Sequence, residues 1–169
     1  MNRRIILSLS AITALVLALL PGNAVAQKKT LKEQLVGTWT FVSGTTKLPD
    51  GSLVWGSNPK GLVIFTDNGR HSSQLMRSDR PKFASNNRAT GTPDENKAVA
   101  QGVTSYFGTY SMNEANKTFT IKFEGSAYPN LEGTEQTRAF TIEGDQLMVT
   151  NPSPTVGGPP SHLVYKRAK

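Results

Sequence analysis

Apolar and polar residues exchange at almost every step along residues 35–43. Leu35, Gly37, Trp39 and Phe41 share one face there, and Val36, Thr38, Thr40 and Val42 share the other. The same period-two pattern predicts strands near residues 53–55 and over 61–66, 70–76, 108–112, 117–124, 135–143, 146–150 and 161–166. It is cleanest over 117–124, where Phe119, Ile121 and Phe123 oppose Thr118, Thr120, Lys122 and Glu124. Turn signals separate the runs at Pro49-Asp50-Gly51, Asp67-Asn68-Gly69 and Gly144-Asp145. Asn-Gly supplies the positive-φ positions that a tight hairpin needs.

Two stretches depart from this period. Residues 30–34 predict a short helical turn. Residues 77–91 are polar and aperiodic, and Thr92-Pro93-Asp94-Glu95 then predicts a helix start: Thr92 caps, Pro93 suits the first position and Glu95 completes a capping box. Residues 98–106 read as a continuation of that helix. The sum is an all-β chain of about eight strands with one helix inserted after the fourth strand. Strand order alone leaves sandwich and barrel open. Closure removes exposed edges and pairs the first strand with the last.

The first 26 residues stand apart. Arg3 and Arg4 precede an uncharged, mostly apolar run over 5–20, followed by Pro21-Gly22 and then Ala24-Val25-Ala26. This is the pattern of a secretory signal peptide cut after Ala26. The run falls short of the roughly 20 residues a spanning helix needs. The expectation is an exported protein, periplasmic or secreted, without a stable membrane anchor after cleavage, whose residues 27–169 form one domain. The chain has no cysteine, which excludes disulfides and thiolate chemistry. Setting Arg3 and Arg4 aside leaves 17 basic against 12 acidic residues, a net charge of +5. The basic residues are scattered, which argues against a nucleic-acid partner.

An ordered set of motifs carries a family resemblance. Gly37-Thr38-Trp39 resembles the opening of lipocalins. Residues 74–83, Gln-Leu-Met-Arg-Ser-Asp-Arg-Pro-Lys-Phe, with Gly91-Thr92, are similar to a block of the bacterial and fungal lipocalin-like domain family. Residues 106–110, 124–126 with Pro129-Asn130, 133–138 and 144–147 extend the match. The resemblance implies an eight-stranded antiparallel up-and-down lipocalin-like barrel and little about chemistry, since one fold hosts many functions. Members often carry histidines on the strand that here reads Thr120-Ile121-Lys122-Phe123-Glu124, and this chain has none there. An activity that needs a histidine at that point is therefore not implied.

Residue chemistry narrows the choices. His71 and His162 are the only histidines, too few for a zinc site, and both read as surface residues; no metal and no cofactor are expected. No Gly-x-Ser-x-Gly elbow and no phosphate-binding loop occurs. Gly37 and Trp39 are expected to form the barrel floor. Arg138 shares a face with Phe140 and Ile142. It either stacks on Trp39, as the lipocalin resemblance implies, or clamps a ligand carboxylate. Glu124 is either solvated on its polar face or a base or ion-pair partner of Arg138 at the mouth. Arg77, Asp79 and Arg80 form a strand-to-helix network or, with Phe83 as a stopper, a lid. Phe41, Met76, Tyr106, Tyr110 and Phe123 complete the candidate ligand contacts.

The resulting reading is a protein that binds a small, mostly hydrophobic or amphipathic ligand inside the barrel. The alternatives are a cofactor-independent isomerase, cyclase or hydrolase acting on a hydrophobic metabolite, and a structural envelope protein with a filled core.

Overall fold

The computed structural model describes residues 29–169, so the leader sequence lies outside the described residues. The chain folds in the order α1 (Leu31–Leu35), β1 (Gly37–Gly44), β2 (Lys60–Phe65), β3 (Arg70–Met76), α2 (Pro93–Gln101), β4 (Val103–Asn113), β5 (Thr118–Ser126), β6 (Glu135–Glu143), β7 (Gln146–Asn151) and β8 (Ser161–Arg167). Each strand pairs antiparallel with the next, and β8 returns to β1, which closes the barrel.

The alternation read from sequence is the burial pattern. Trp39 and Phe41 of β1, Leu75 of β3, Phe119, Ile121 and Phe123 of β5, Leu147 and Val149 of β7, and Leu163 and Tyr165 of β8 point inward and are almost fully buried. Two of the expected elements are different. Residues 53–55 form no ladder strand; Leu53 makes only an isolated bridge to Lys47. The helix therefore follows the third strand of the barrel rather than a fourth. It also ends sooner than expected. Gly102 caps α2 with its N–H on the Ala98 carbonyl, and residues 103–106 belong to β4, where Val103 pairs with Met76. The Thr92 side chain accepts from the Glu95 N–H while the Glu95 side chain accepts from the Thr92 N–H, a complete capping box.

The two ends of the barrel are unlike. Short hairpins join β2 to β3, β4 to β5 and β6 to β7 at one end. That end is sealed by α1. Trp39 has no exposed surface, and its indole Nε1 donates to the Leu35 carbonyl at 2.8 Å. The expected stack of Arg138 on Trp39 does not form. Arg167 takes that place: its Cζ lies 4.0 Å from the indole ring centre, and its Nη2 donates to the Gln34 carbonyl at 2.6 Å. The reason is register, because Trp39 pairs directly with Arg167 across the β1–β8 seam. Gly37, at φ +131, leaves room for the arginine; a Cβ there would sit 3.3 Å from Arg167 Nη1.

At the other end the connections are long, spanning 45–59, 77–102, 127–134 and 152–160. Loops on a rigid barrel can vary without disturbing the core.

Gly108 marks the tightest backbone approach. The β4–β5 register shifts between Phe107 and Gly108, and a Cβ on Gly108 would run into the Lys122 carbonyl oxygen. Backbone on the facing strand cannot swing aside as a side chain can. Gly108→Ala is expected to cost about 1–3 kcal/mol in urea denaturation. An unchanged midpoint would show that the ladder tolerates the shift.

Candidate functional site

The long-loop end of the barrel contains a cavity of about 360 Å³. Its walls come from the strands, the long connections and α2. Leu75, Tyr106, Arg138 and Leu163 are inward residues of the strands. Val54 and Trp55 fold in from the β1–β2 connection. Residues 153–156 close one side from the β7–β8 loop. Ala100 and Gln101 of α2 also reach the lining.

Trp55 is the aromatic stopper of this end. It is 6 % exposed and meets Phe41 edge-on at 5.8 Å. Phe83, expected in that role, does not line the cavity. It is half-buried within its own loop, so close to Gly91 that a Cβ on that glycine would collide with its ring. Arg77 ties down the backbone just before Trp55. Its guanidinium forms a two-pronged ion pair with Asp79, at 2.8 and 2.6 Å, and its Nη1 donates to the Leu53 carbonyl at 3.4 Å. Arg80 Nε donates to the Arg77 carbonyl at 2.8 Å and its Nη2 meets Met76 Sδ at 3.4 Å. These bonds give the segment the form of a strand-to-helix network. Arg77 and Arg80 border a smaller neighbouring recess of about 210 Å³, which shares Leu48 and Gln101 with the main cavity.

One polar cluster faces the main cavity. Arg138 is 6 % exposed. Its Nε donates to Gln136 Oε1 at 2.7 Å and its Nη1 to the Tyr106 hydroxyl at 2.8 Å. Gln136 is anchored in turn, its Nε2 donating to the Ser153 carbonyl at 3.2 Å. Tyr106 stands edge-on to Phe123 at 5.0 Å, which fixes the ring that carries the hydroxyl.

Below this cluster lies His71, expected at the surface but in fact 3 % exposed in the core. It shares the inward face of β3 with Ser73 and Leu75. Its ring packs against Phe65 at 4.5 Å and Tyr106 at 5.7 Å. Neither ring nitrogen has a hydrogen-bond partner, nor does the Ser73 hydroxyl. Burial lowers the imidazole pKa from 6.5 to about 3, and the Arg138 charge pushes the same way. The nearby Ile64 carbonyl opposes the shift but does not reach hydrogen-bonding geometry. His71 is therefore a neutral ring at neutral pH. Burial also pushes the Tyr165 phenol up, so that it stays protonated.

Of the ten candidate contacts, Tyr106 and Arg138 line the cavity. Phe41 and Phe123 lie one layer behind, against Trp55 and Tyr106. Tyr110 turns away, its hydroxyl donating to the Thr66 carbonyl at 2.8 Å beside the β2–β3 hairpin. Met76 stays with Arg80. Glu124 is outside the barrel: its carboxylate accepts two 2.8 Å bonds from Arg70, which holds its pKa below the usual carboxylate value. It forms no ion pair with Arg138. Val54, Trp55 and Gln136 were absent from the candidates. Val54-Trp55 is an apolar pair inside a Gly/Ser/Pro loop, a visible signal that a strand assignment hides. Gln136 shares the inward face of its strand with Arg138.

Comparison with curated proteins returns no match. The profile described as a lipocalin-like domain matches residues 36–160, from the residue before β1 to the loop that leads into β8. With eight antiparallel strands closed around a cavity, the chain belongs to the lipocalin-like domain family.

Proposed function

We propose that the protein is an exported binder that holds one small, mostly hydrophobic molecule in the cavity at the long-loop end of the barrel. The observation that carries this reading is the cavity itself. Its volume of about 360 Å³ lies above the roughly 300 Å³ at which ligand pockets generally begin, and its walls include Leu48, Val54, Trp55, Leu75 and Leu163. A barrel whose purpose is a filled core would leave less space. The isomerase, cyclase or hydrolase alternative loses its proposed base, because Glu124 is outside and none of the described lining residues is a carboxylate or a histidine. The leader pattern of residues 1–26 supports export to the periplasm or beyond.

Native mass spectrometry of protein purified from its own host tests both halves. The expected result is a chain beginning at Gln27 that carries one small organic adduct, released on denaturation. A chain that retains residues 1–26 would overturn export. A chain without an adduct, which also takes up none from a host lipid extract, would overturn binding.

A further inference from the structure

We propose that the molecule held in this cavity is a monoanionic amphiphile, a medium-chain carboxylate whose headgroup docks on Arg138 beside the Tyr106 hydroxyl. The inference rests on the binding role assigned to the cavity and adds the chemical class.

The argument is one of unbalanced charge. A guanidinium is a permanent cation with five N–H donors. Arg138 uses Nε on Gln136 and Nη1 on Tyr106, both neutral acceptors, and its Nη2 makes no hydrogen bond among the described residues. The ion pairs among the described residues are Arg70–Glu124, Arg77–Asp79 and Arg167–Asp145; none includes Arg138. The titratable groups packed around it are His71 from β3, Tyr106 from β4 and Tyr165 from β8; burial keeps His71 and Tyr165 uncharged, and no carboxylate is bonded to Arg138 among the described residues. A buried charge without a partner is costly, and it is retained where a partner arrives.

The cluster is also held in position. Gln136 is fixed by the Ser153 carbonyl and Tyr106 by Phe123, so the guanidinium is aimed before any ligand comes. One fixed positive charge suits one negative charge. A dianionic phosphate would leave a net charge in the same low-dielectric site, whereas a carboxylate balances it and matches the guanidinium edge. The apolar walls of Val54, Trp55, Leu75 and Leu163 then receive the tail. At about 30 Å³ for each water-sized group, the volume takes on the order of a dozen non-hydrogen atoms. Decanoate is of that size.

Isothermal titration of the full mature protein at pH 7 with decanoate, 1-decanol and decylammonium separates the possibilities. Decanoate is expected to bind about tenfold or more tightly than 1-decanol, the usual worth of a hydrogen bond to a charged group, and decylammonium more weakly than either. In Arg138→Met the decanoate-to-decanol ratio is expected to fall to about one. Equal binding of decanoate and 1-decanol to the wild-type chain, or a preference that survives Arg138→Met, overturns the anionic headgroup and leaves the binding role of the cavity intact. Failure of decanoate to bind overturns this inference, while the binding role of the cavity stands or falls separately on the adduct in the native mass spectrum. The wild-type series decides the question even if Arg138→Met does not fold.

Discussion

Replacing Trp39 with alanine is expected to cost about 3–5 kcal/mol of folding stability, the range for removing a fully buried large aromatic. Three losses combine. The indole surface at the floor of the barrel disappears, the Leu35 carbonyl at the end of α1 loses its 2.8 Å donor, and the Arg167 guanidinium loses the ring it covers at 4.0 Å. The last two tie the floor to α1 and to the final strand, so neighbouring side chains cannot simply collapse into the gap. Urea denaturation followed by far-ultraviolet circular dichroism measures the effect. The stacking part is separable. A cycle of Trp39→Leu, Arg167→Met and the double variant is expected to return a coupling of about 0.5–2 kcal/mol. A loss below about 1 kcal/mol for Trp39→Ala would show that the indole does not seal the barrel.

Acid should weaken the protein through His71. Its folded pKa is about 3 and an unfolded histidine titrates near 6.5. The unfolded chain therefore takes up a proton as pH falls below 6.5, and the folded chain does not follow until about pH 3. Stability is full above pH 6.5 and falls between these values by about 1.4 kcal/mol per pH unit, reaching a loss of about 3 kcal/mol near pH 4. Carboxylates held low by their partners, such as Glu124 and Asp79, also withdraw stability on acidification, but only where unfolded carboxyls begin to protonate, below about pH 5. The window from pH 6.5 to 5 therefore isolates His71. Denaturation midpoints measured across that window should slope for the wild-type chain and lie flat for His71→Leu. Identical slopes for the two proteins would mean that the imidazole reaches water in the folded state.

Some of these features were legible in single residues. The Thr92–Glu95 capping box and the alternation of Phe119, Ile121 and Phe123 are local patterns that folding leaves unchanged, whereas the expected turn at Asn68-Gly69 forms with positive φ at Gly69 and not at Asn68. Gly102 was a legible helix stop as well, and reading through it carried the helix into β4. His71 was legible by face, since it alternates in step with Ser73 and Leu75; its nearness to a turn and its polarity argued the wrong way. Partners across the barrel were not legible. Arg167 rather than Arg138 covers Trp39, and Arg70 rather than Arg138 pairs with Glu124, because register between strands remote in sequence decides both contacts. The cavity lies at the same remove. Its lining is gathered from loops whose composition gives no period, so Val54 and Trp55 could be seen as apolar but not placed.

The seam between β1 and β8 makes completeness a condition of the fold. Its two strands come from opposite ends of the described chain, so the loop that must close before they meet is nearly the whole domain. Until the last seven-residue strand arrives, β1 keeps an unpaired edge and Trp39 lacks its covering guanidinium. A chain cut short by even that one strand loses the ladder that closes the wall and the group that seals the floor. Residues 161–167 are thus the closing piece of the barrel, completing its wall and its floor together.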